Sequence, residues 1–358
     1  MKRGKAITGI SLIVLVTLFV IPVSAQQRGK WSKAAPMAKG WEEVMGAAIK
    51  GKVYVYEGLQ TFPRGYTGTA TLPEWRPAGQ IAVYDPAMDA WTLKSAMPVA
   101  AHHPAVAVHG DKLYFFGGFV SPDRLGGWSS VANVWMYDPE ADKWTPKTPL
   151  PTPRGGAHAV EVGGKIYVIG GYTTAAHLPG LMGMDMGTTE EYDPATDAWR
   201  SRQPMPTPRN HHAIGTIGGK IYVAGGRIGG PFVFTAAHIN VTEEYDPVRN
   251  LWTSKAAMPT PRSGLGYAVW GGKLFVFGGE RAPTFVHGEV EAYDPATNRW
   301  ESYASMPTPR HGPAVALVGN RIHVVAGNVR IAGGSQSPVH EVFEPEPPPA
   351  PAGAAPGR

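Results

Sequence analysis

Four arginines recur at the same position of successive repeats in this chain and are the first candidates for ligand chemistry. They are Arg154, Arg209, Arg262 and Arg310. The two preceding repeats carry Trp41 and Ala101 there. A guanidinium group stays charged at neutral pH and binds carboxylates through two parallel hydrogen bonds. The pattern predicts a cationic ring with two gaps, suited to an acidic sugar or an acidic peptide, or a scaffold in which each arginine ties neighbouring repeats through backbone carbonyls.

Histidines gather just after these positions. They are His102, His103, His211, His212 and His311, with His158 slightly further along its repeat. Neutral imidazoles converging from three directions could hold zinc or copper, and a single imidazole such as His212 could act as a general acid or base. The alternative is that these histidines hydrogen-bond loop backbone and stand too far apart to share one ion.

Acidic residues fall on the same predicted face. They are Glu42, Glu43 and Glu280, and Arg281 follows the last of them. These carboxylates either form salt bridges, including pairs with the arginines, or supply a catalytic group. Glu280 is the carboxylate candidate for catalysis.

A further soft-metal candidate lies in the third long loop. It consists of His177, Met182, Met184 and Met186. Thioether sulfurs select Cu(I), so the alternate methionines could converge on a copper ion. The alternative is a flexible hydrophobic contact patch, a role that methionine also serves.

The element that must position these residues is a repeat. Five Tyr-Asp-Pro sequences begin at Tyr84, Tyr137, Tyr192, Tyr245 and Tyr293, and each is followed seven residues later by a tryptophan. A glycine stands 27 residues after each tryptophan. Each unit contains four short β-rich runs separated by turn signals, for example 213–217, 220–224, 241–245 and 251–255. Four strands per unit predict an all-β propeller.

The sixth repeat is divided between the ends of the chain. Trp31 lacks a Tyr-Asp-Pro before it, and Phe343-Glu-Pro lacks a tryptophan seven residues after it. Joining the two completes a sixth unit. We therefore expect six blades of four antiparallel strands over residues 26–345, with the Trp31 segment as the outer strand of the last blade.

Paired glycines ending a strand, followed by Tyr and Trp at fixed spacing, resemble the kelch signature from Trp31 to Pro345. Glu57-Gly58, Ala326-Gly327 and Phe343 depart from it. The resemblance implies a six-bladed kelch propeller, distantly similar to galactose oxidases and to periplasmic mutarotases that open and close sialic acid rings. The oxidases use a tyrosine cross-linked to cysteine, which a chain with no cysteine cannot form.

Length variation points to the binding face. The distance from glycine to tyrosine ranges from 14 to 26 residues, whereas the other spacings are constant. If the strands are named a to d in chain order, antiparallel pairing puts these b–c loops and the d–a connections on one face. Because function on a rigid scaffold usually resides in variable loops, this face is the predicted binding surface.

Composition limits the partners and the compartment. Residues 1–25 combine a basic start, an apolar run and a small-residue ending at Ala25, which predicts a signal peptide and a secreted or periplasmic protein. A retained N-terminal anchor is the alternative. The net charge of +5 falls to +2 without Lys2, Arg3 and Lys5, too little for nucleic-acid binding. The Pro/Ala-rich residues 346–358 predict a disordered tail.

The sequence is compatible with two functions. The first is a noncatalytic module that binds a carbohydrate or an extracytoplasmic protein on the variable face. The second is a mutarotase-like or epimerase-like enzyme in which the arginine ring holds the substrate and a Glu or His moves the proton. We expect no cofactor, no membrane span after signal cleavage, and a monomer.

Overall fold

Short β-branched and aromatic runs, separated by glycine and Asp-Pro turns, form six four-stranded antiparallel sheets arranged as a β-propeller. A computed structural model describes residues 28–62, 74–120, 128–174, 183–230, 232–283 and 285–346. The predicted all-β, six-bladed class is confirmed. The predicted signal segment and most of the predicted tail lie outside the described residues. Within those ranges, no helix is long and apolar enough to cross a bilayer.

Each blade runs from strand a at the central channel to strand d at the rim. In blade 1, strands a to d are Met45–Ile49, Lys52–Tyr56, Ile81–Asp85 and Ala90–Lys94. In blade 2 they are Ala105–His109, Lys112–Phe116, Val134–Asp138 and Lys143–Lys147. In blade 3 they are His158–Val162, Lys165–Ile169, Thr189–Asp193 and Ala198–Arg202. In blade 4, strands a to d are Ala213–Ile217, Lys220–Ala224, Thr242–Asp246 and Leu251–Lys255. In blade 5 they are Gly266–Trp270, Lys273–Phe277, Val290–Asp294 and Arg299–Tyr303. In blade 6 they are Ala314–Val318, Arg321–Val325, His340–Glu344 and, from the N-terminal segment, Lys30–Lys33.

The b–c loops of the first five blades carry small hairpins of their own. Their paired strands are Leu59–Phe62 with Glu74–Pro77, Phe119–Val120 with Ser129–Ser130, Tyr172–Thr173 with Met184–Asp185, Arg227–Ile228 with Ala237–His238, and Glu280–Arg281 with Phe285–Val286. These hairpins build up one face of the propeller around the channel.

The ring closes as predicted from the divided repeat. Strand Lys30–Lys33 pairs with His340–Glu344, and Trp31 stands opposite Phe343. The Trp31 indole N–H donates to the carbonyl of Ala304, at 2.9 Å, in the segment after blade 5. The N-terminal segment therefore joins the last blade to its neighbour.

The core lies between adjacent blades. Each of six clusters of buried residues joins one blade to the next; Phe275, Phe277 and Phe343, for example, belong to the cluster between blades 5 and 6. Asx residues at the c–d turns add a polar link. Asp197 accepts from the Tyr192 hydroxyl of its own blade and from the Thr148 N–H after the preceding blade. The repeated aromatic residues therefore hold the ring together.

Candidate functional site

The segments that enter each inner strand lie against the start of the b–c loop in the same blade. Isolated backbone bridges join them in all six blades: Glu42 to Leu59, His102 to Phe119, Gly155 to Tyr172, Asn210 to Arg227, Ser263 to Glu280, and His311 to Asn328. The d–a segments and the b–c loops thus share one face, as the antiparallel alternation predicts. We call it the loop face.

The four repeated arginines are buried in the scaffold beneath the loop face. Arg154 Nη1 lies 2.6 Å from Glu190 on strand c, and its Nε and Nη2 donate to the carbonyls of Gly170 and Val168. Equivalent ion pairs join Arg209 to Glu243, Arg262 to Glu291, and Arg310 to Glu341. All four arginine residues have 0% exposure. This geometry favours the structural alternative over a cationic ligand ring.

The arginine also connects neighbouring blades, but through its backbone rather than its side chain. The Gly118 N–H of blade 2 donates to the Arg154 carbonyl at 2.9 Å. The guanidinium, in contrast, donates to groups of its own blade: Val168 and Gly170 at the end of strand b, Glu190 on strand c, and the Thr152 carbonyl of its own segment. Each arginine therefore anchors its segment to its own blade, while its carbonyl accepts a hydrogen bond from the blade before.

Blades 1 and 2 replace both members of the ion pair. Trp41 takes the arginine position of blade 1 and Ala82 the glutamate position. In blade 2, Ala101 takes the arginine position and Trp135 the glutamate position. Both blades thus carry one tryptophan and one alanine at these two positions, and Trp41 and Ala82 belong to the same core cluster. Trp41 is accordingly a buried core residue and not part of an exposed ligand ring.

Two residues after each arginine position the backbone becomes left-handed, and these residues surround the channel opening. They are Glu43, His103, Gly156, His211, Gly264 and Gly312, with φ between 51° and 64°. Backbone hydrogen bonds connect them, for example from the His211 N–H to the Gly156 carbonyl at 2.9 Å. We call these six residues the mouth ring.

The three members of the mouth ring that are not glycine bring their side chains together. Candidate ligand atoms of Glu43, His103 and His211 all lie within 4.8 Å of one another. Nε2 of His103 is 3.1 Å from Oε2 of Glu43, and the two imidazole centroids are 4.8 Å apart. We call these three residues the mouth triad. The convergence expected of histidines from different blades is thus present for two of them.

His311 and Glu280 extend this cluster. His311 lies 3.4 Å from Oε1 of Glu43 through Nδ1 and 3.4 Å from Oε2 of Glu280 through Nε2. Burial opposes protonation of His311, but the charges of Glu280 and Glu43 outweigh it and raise its pKa to about 9. Burial also opposes ionisation of Glu43, but His103 and His311 hold the pKa of Glu43 well below its usual value.

Arg227 completes the charged network from the fourth b–c loop. Its Nη1 lies 2.8 Å from Oε1 of Glu280, and its Nη2 lies 2.9 Å from Nε2 of His211. Because a guanidinium is always a donor, Nε2 of His211 must be the acceptor. Burial and the charge of Arg227 hold the pKa of His211 well below its usual value, so this imidazole is neutral.

The remaining histidine candidates lie behind the mouth ring. Nδ1 of His102 is 2.6 Å from Nδ1 of His103, and burial holds the pKa of His102 well below its usual value. His158 is hydrogen-bonded to the Tyr267 hydroxyl, and its pKa is lowered to about 3 by burial. His212 is fully buried beside His158. His212 lines neither of the two pockets at the channel opening, so its position does not support the acid–base role predicted for it.

A pocket of about 120 Å³ opens above the mouth triad. Its walls include Trp128, Phe232 and Phe234. Carboxylates of Glu42, Glu43 and Glu280 line it together with Arg227 and His103. We call it the mouth pocket. Glu43 and His103 also line a second, smaller cavity that continues into the channel, so these two residues lie between the cavities, and His211 lines the inner one.

The other predicted site residues lie apart from this pocket. Arg281 is exposed and stacks over Phe285 at 5.9 Å. Met184 is 63% exposed, and the Met186 N–H donates to the Gly171 carbonyl. His177 and Met182 lie outside the described residues. The copper hypothesis for the third loop therefore stays a prediction.

The comparisons with known proteins identify the family. A model of the KLHDC2/KLHL20/DRC7 Kelch-repeats domain matches residues 30–226 and 102–327, which together cover most of the chain. The chain belongs to the kelch-repeat family. Among curated relatives of this kelch protein, Kelch-like protein terF of Aspergillus terreus is 32% identical over 259 residues, covering 70% of the chain and 52% of the relative. Beta-scruin of Limulus polyphemus is 29% identical over 192 residues, covering 53% and 20%.

The chain thus spans about half or less of these relatives' lengths. Among solved structures, that of YjhT superimposes with a TM-score of 0.64 and 16% identity, covering 87% of this chain and 97% of that chain. Because the identity is low, this likeness extends to the fold alone. The family resemblance read from the repeats is confirmed.

Several residues of the mouth pocket have no signal in the repeat pattern. Trp128, Phe232 and Phe234 come from parts of the b–c loops where no common register exists between blades. Arg227, in contrast, follows the repeated Gly226 directly, at the position that Glu280 takes in blade 5. The mouth triad did have a signal. When the repeats are aligned on the arginine position, Glu43, His103 and His211 share a column with three glycines. Departure from glycine in that column could have singled them out.

Proposed function

We propose that this kelch propeller is an exported binding module that takes a protein ligand on its loop face, with one ligand side chain seated in the mouth pocket. The observation that carries the proposal is the apolar surface around the pocket. Phe232 and Phe234 are 47% and 63% exposed at its edge, and Phe285, Met184 and Val329 are exposed on the same face. Exposed aromatic and methionine side chains are typical of protein interfaces.

The charges lining the pocket favour a neutral or cationic ligand group. Glu42, Glu43 and Glu280 supply three carboxylates, and Arg227 supplies one fixed cation that is already paired with Glu280. The walls are aromatic. An amphipathic anchor such as lysine, arginine or tyrosine fits apolar walls above a floor of acceptors. The acidic ligand expected from the arginine ring loses its support, because those guanidiniums are buried against glutamates.

The family and the N-terminal sequence support the rest of the proposal. Kelch domains generally bind proteins. Export rests on the basic, apolar and small-residue sequence of residues 1–25.

The test is a peptide-display selection against the chain from residue 26 onward, followed by affinity measurements on variants. Selected peptides should lose at least about 30-fold in affinity on Phe232→Ala or Phe234→Ala, as expected when an anchoring contact worth about 2 kcal/mol is removed. Val248→Ala is the matched control, because Val248 is 95% exposed at a c–d turn on the opposite face. Equal binding by all variants would refute the site, and binders found only on a glycan array would replace the protein ligand with a carbohydrate.

A sugar-converting enzyme is the second candidate, favoured by the buried titratable groups Glu43, Glu280 and His311 below the pocket. In that case Glu280→Gln would abolish turnover of a sugar while leaving its binding largely intact. In a binding module, the same substitution changes affinity alone.

A further inference from the structure

The mouth triad occupies backbone positions where glycine is favoured. An L-residue in the left-handed region costs about 1 kcal/mol or more relative to glycine, and residues held there cluster at functional sites. Most other such residues in the described chain are Asp or Asn at the c–d turns, where a short polar side chain is tolerated. Gly156, Gly264 and Gly312 avoid this cost in their blades, whereas Glu43, His103 and His211 accept it. The exceptions are thus a carboxylate and two imidazoles that converge on one point.

The glycines of the mouth ring leave space for the triad side chains. A Cβ on Gly312 would lie 2.8 Å from Oε2 of Glu43, and a Cβ on Gly156 would lie 3.0 Å from the ring of His211. Three small and three ligand-type residues therefore fill one opening together. Six side chains of the triad's size could not fit there.

Neighbouring residues orient both imidazoles. Nδ1 of His211 donates to Oδ1 of Asn210, which leaves the lone pair on Nε2, where it accepts from Nη2 of Arg227. Nδ1 of His103 is held at 2.6 Å by Nδ1 of His102. Metal-ligating histidines are usually fixed in this way, with one ring nitrogen hydrogen-bonded and the other facing the ion. His311 similarly contacts the carboxylate oxygen of Glu43 that faces away from His103.

We propose that Glu43, His103 and His211 bind a divalent first-row transition-metal ion at the channel opening. Two imidazoles and one carboxylate are a donor set for zinc or non-haem iron, with the remaining positions open toward the mouth pocket. Ligand atoms of a tetrahedral zinc site lie about 3.3 Å apart, given metal–ligand distances near 2 Å. The ligand atoms of His103 and Glu43 already have about this spacing. The ligand atom of His211 lies within 4.8 Å of both, so a small rotation of the His211 side chain would bring it to the required distance.

Binding requires two local changes that conserve protons and charge pairs. Nε2 of His103 gives the proton that it shares with Glu43 to solvent, and Nδ1 of His102 passes its proton across the 2.6 Å contact to Nδ1 of His103. Nε2 of His102 takes up a proton from solvent in return, so the number of bound protons is unchanged. Arg227 releases Nε2 of His211 and keeps Glu280 through Nη1 and Asn210 through Nε. The proposal goes beyond ligand binding on the loop face and does not depend on it.

The test uses untagged chain from residue 26, stripped with chelator and titrated with Co²⁺, Zn²⁺ or Fe²⁺ under anaerobic conditions, with Mg²⁺ as a hard-ion control. We expect one equivalent bound, with a Co²⁺ absorption spectrum of imidazole and carboxylate ligation and a higher melting temperature. His103→Gly and His211→Gly should abolish the site while still folding, because glycine suits the left-handed backbone and occupies the same position in three other blades.

Two controls separate this site from other causes. Lys50→Gly changes a left-handed residue at an exposed a–b turn and should leave metal binding unchanged. His177→Ala removes the loop copper candidate and should also leave it unchanged. Absence of a bound equivalent in the parent chain, or equal binding by both mouth-ring glycine variants, would overturn the proposal. Loss of metal binding in His177→Ala would relocate the ion to the third loop and overturn it equally.

Discussion

Replacing Arg154 alone should destabilise the propeller more than replacing Arg154 and Glu190 together. The two side chains are 0% and 3% exposed, and their nearest atoms are 2.6 Å apart. Arg154→Met leaves a buried carboxylate whose remaining side-chain donor is Thr152. Removing one partner of a buried ion pair costs about 3 to 5 kcal/mol, whereas replacing both with apolar groups of similar volume is close to neutral.

The expected shift in melting temperature follows from the size of the domain. Unfolding entropy is about 2.1 cal/mol/K per residue, or about 0.6 kcal/mol/K for about 300 residues. A loss of 3 to 5 kcal/mol therefore lowers the melting temperature by about 5 to 8 °C. Blades 1 and 2 show that this fold accommodates apolar pairs, since they place Trp41 with Ala82 and Ala101 with Trp135.

The assay is a double-mutant cycle on Arg154→Met, Glu190→Met and the combined variant. Urea unfolding is followed by tryptophan fluorescence, and melting temperatures are measured in parallel. The combined variant should recover at least about 2 kcal/mol relative to the sum of the single changes, as expected for residues in direct contact. Additive losses would show that Arg154 and Glu190 contribute independently, and would assign the stabilising role to the hydrogen bonds from Arg154 to strand b.

Three further predictions concern the scaffold. Deleting residues 26–37 removes the outer strand of blade 6 and exposes Phe343. We expect the free energy of unfolding to fall by about 3 to 5 kcal/mol or more, as for a large core truncation. An unchanged melting temperature would disprove the closure. Burial lowers the pKa of His323 to about 3 and that of His340 to about 4. The unfolded chain therefore binds more protons than the folded chain below pH 6.5, so the free energy of unfolding falls on acidification by about 1.4 kcal/mol per pH unit for each histidine. His323→Gln should flatten this slope, which urea titrations between about pH 4.5 and 6 would measure. Asp197→Gly keeps the left-handed turn but loses two hydrogen bonds, so it should cost about 1 to 3 kcal/mol by thermal melting, and a neutral effect would show that only the turn matters.

The scaffold could be predicted closely because its information is repeated. Spacing between Tyr and Trp gave the strand register, and the complementary gaps at Trp31 and Phe343 gave the closure. The expected strand 241–245 begins one residue later, at Thr242–Asp246, because Asp246 pairs with Leu251 across the turn. Turn residues in the sequence do not locate the end of a strand to within one residue.

The site was predictable only where the repeat extends into it. The repeat pattern singles out the arginines, but their glutamate partners stand 29 to 36 residues further along the chain. The pattern also does not show whether the arginine side chains are buried or exposed. A signal existed, since the two units without the arginine also lack the glutamate two residues before the tyrosine. Trp128 and Phe232 could not be placed, because loops of unequal length have no shared register. Arg227 could have been aligned with Glu280, since both directly follow the repeated glycine.

The most direct test of the loop-face site is hydrogen exchange on the chain with and without a peptide selected against it. Protection should appear in the b–c loops and d–a segments around the mouth pocket, including Trp128, His211 and Phe232–Phe234, with the a–b and c–d turns unchanged. Protection confined to those turns, for example at 247–250, would place the ligand on the opposite face and contradict the proposed binding site.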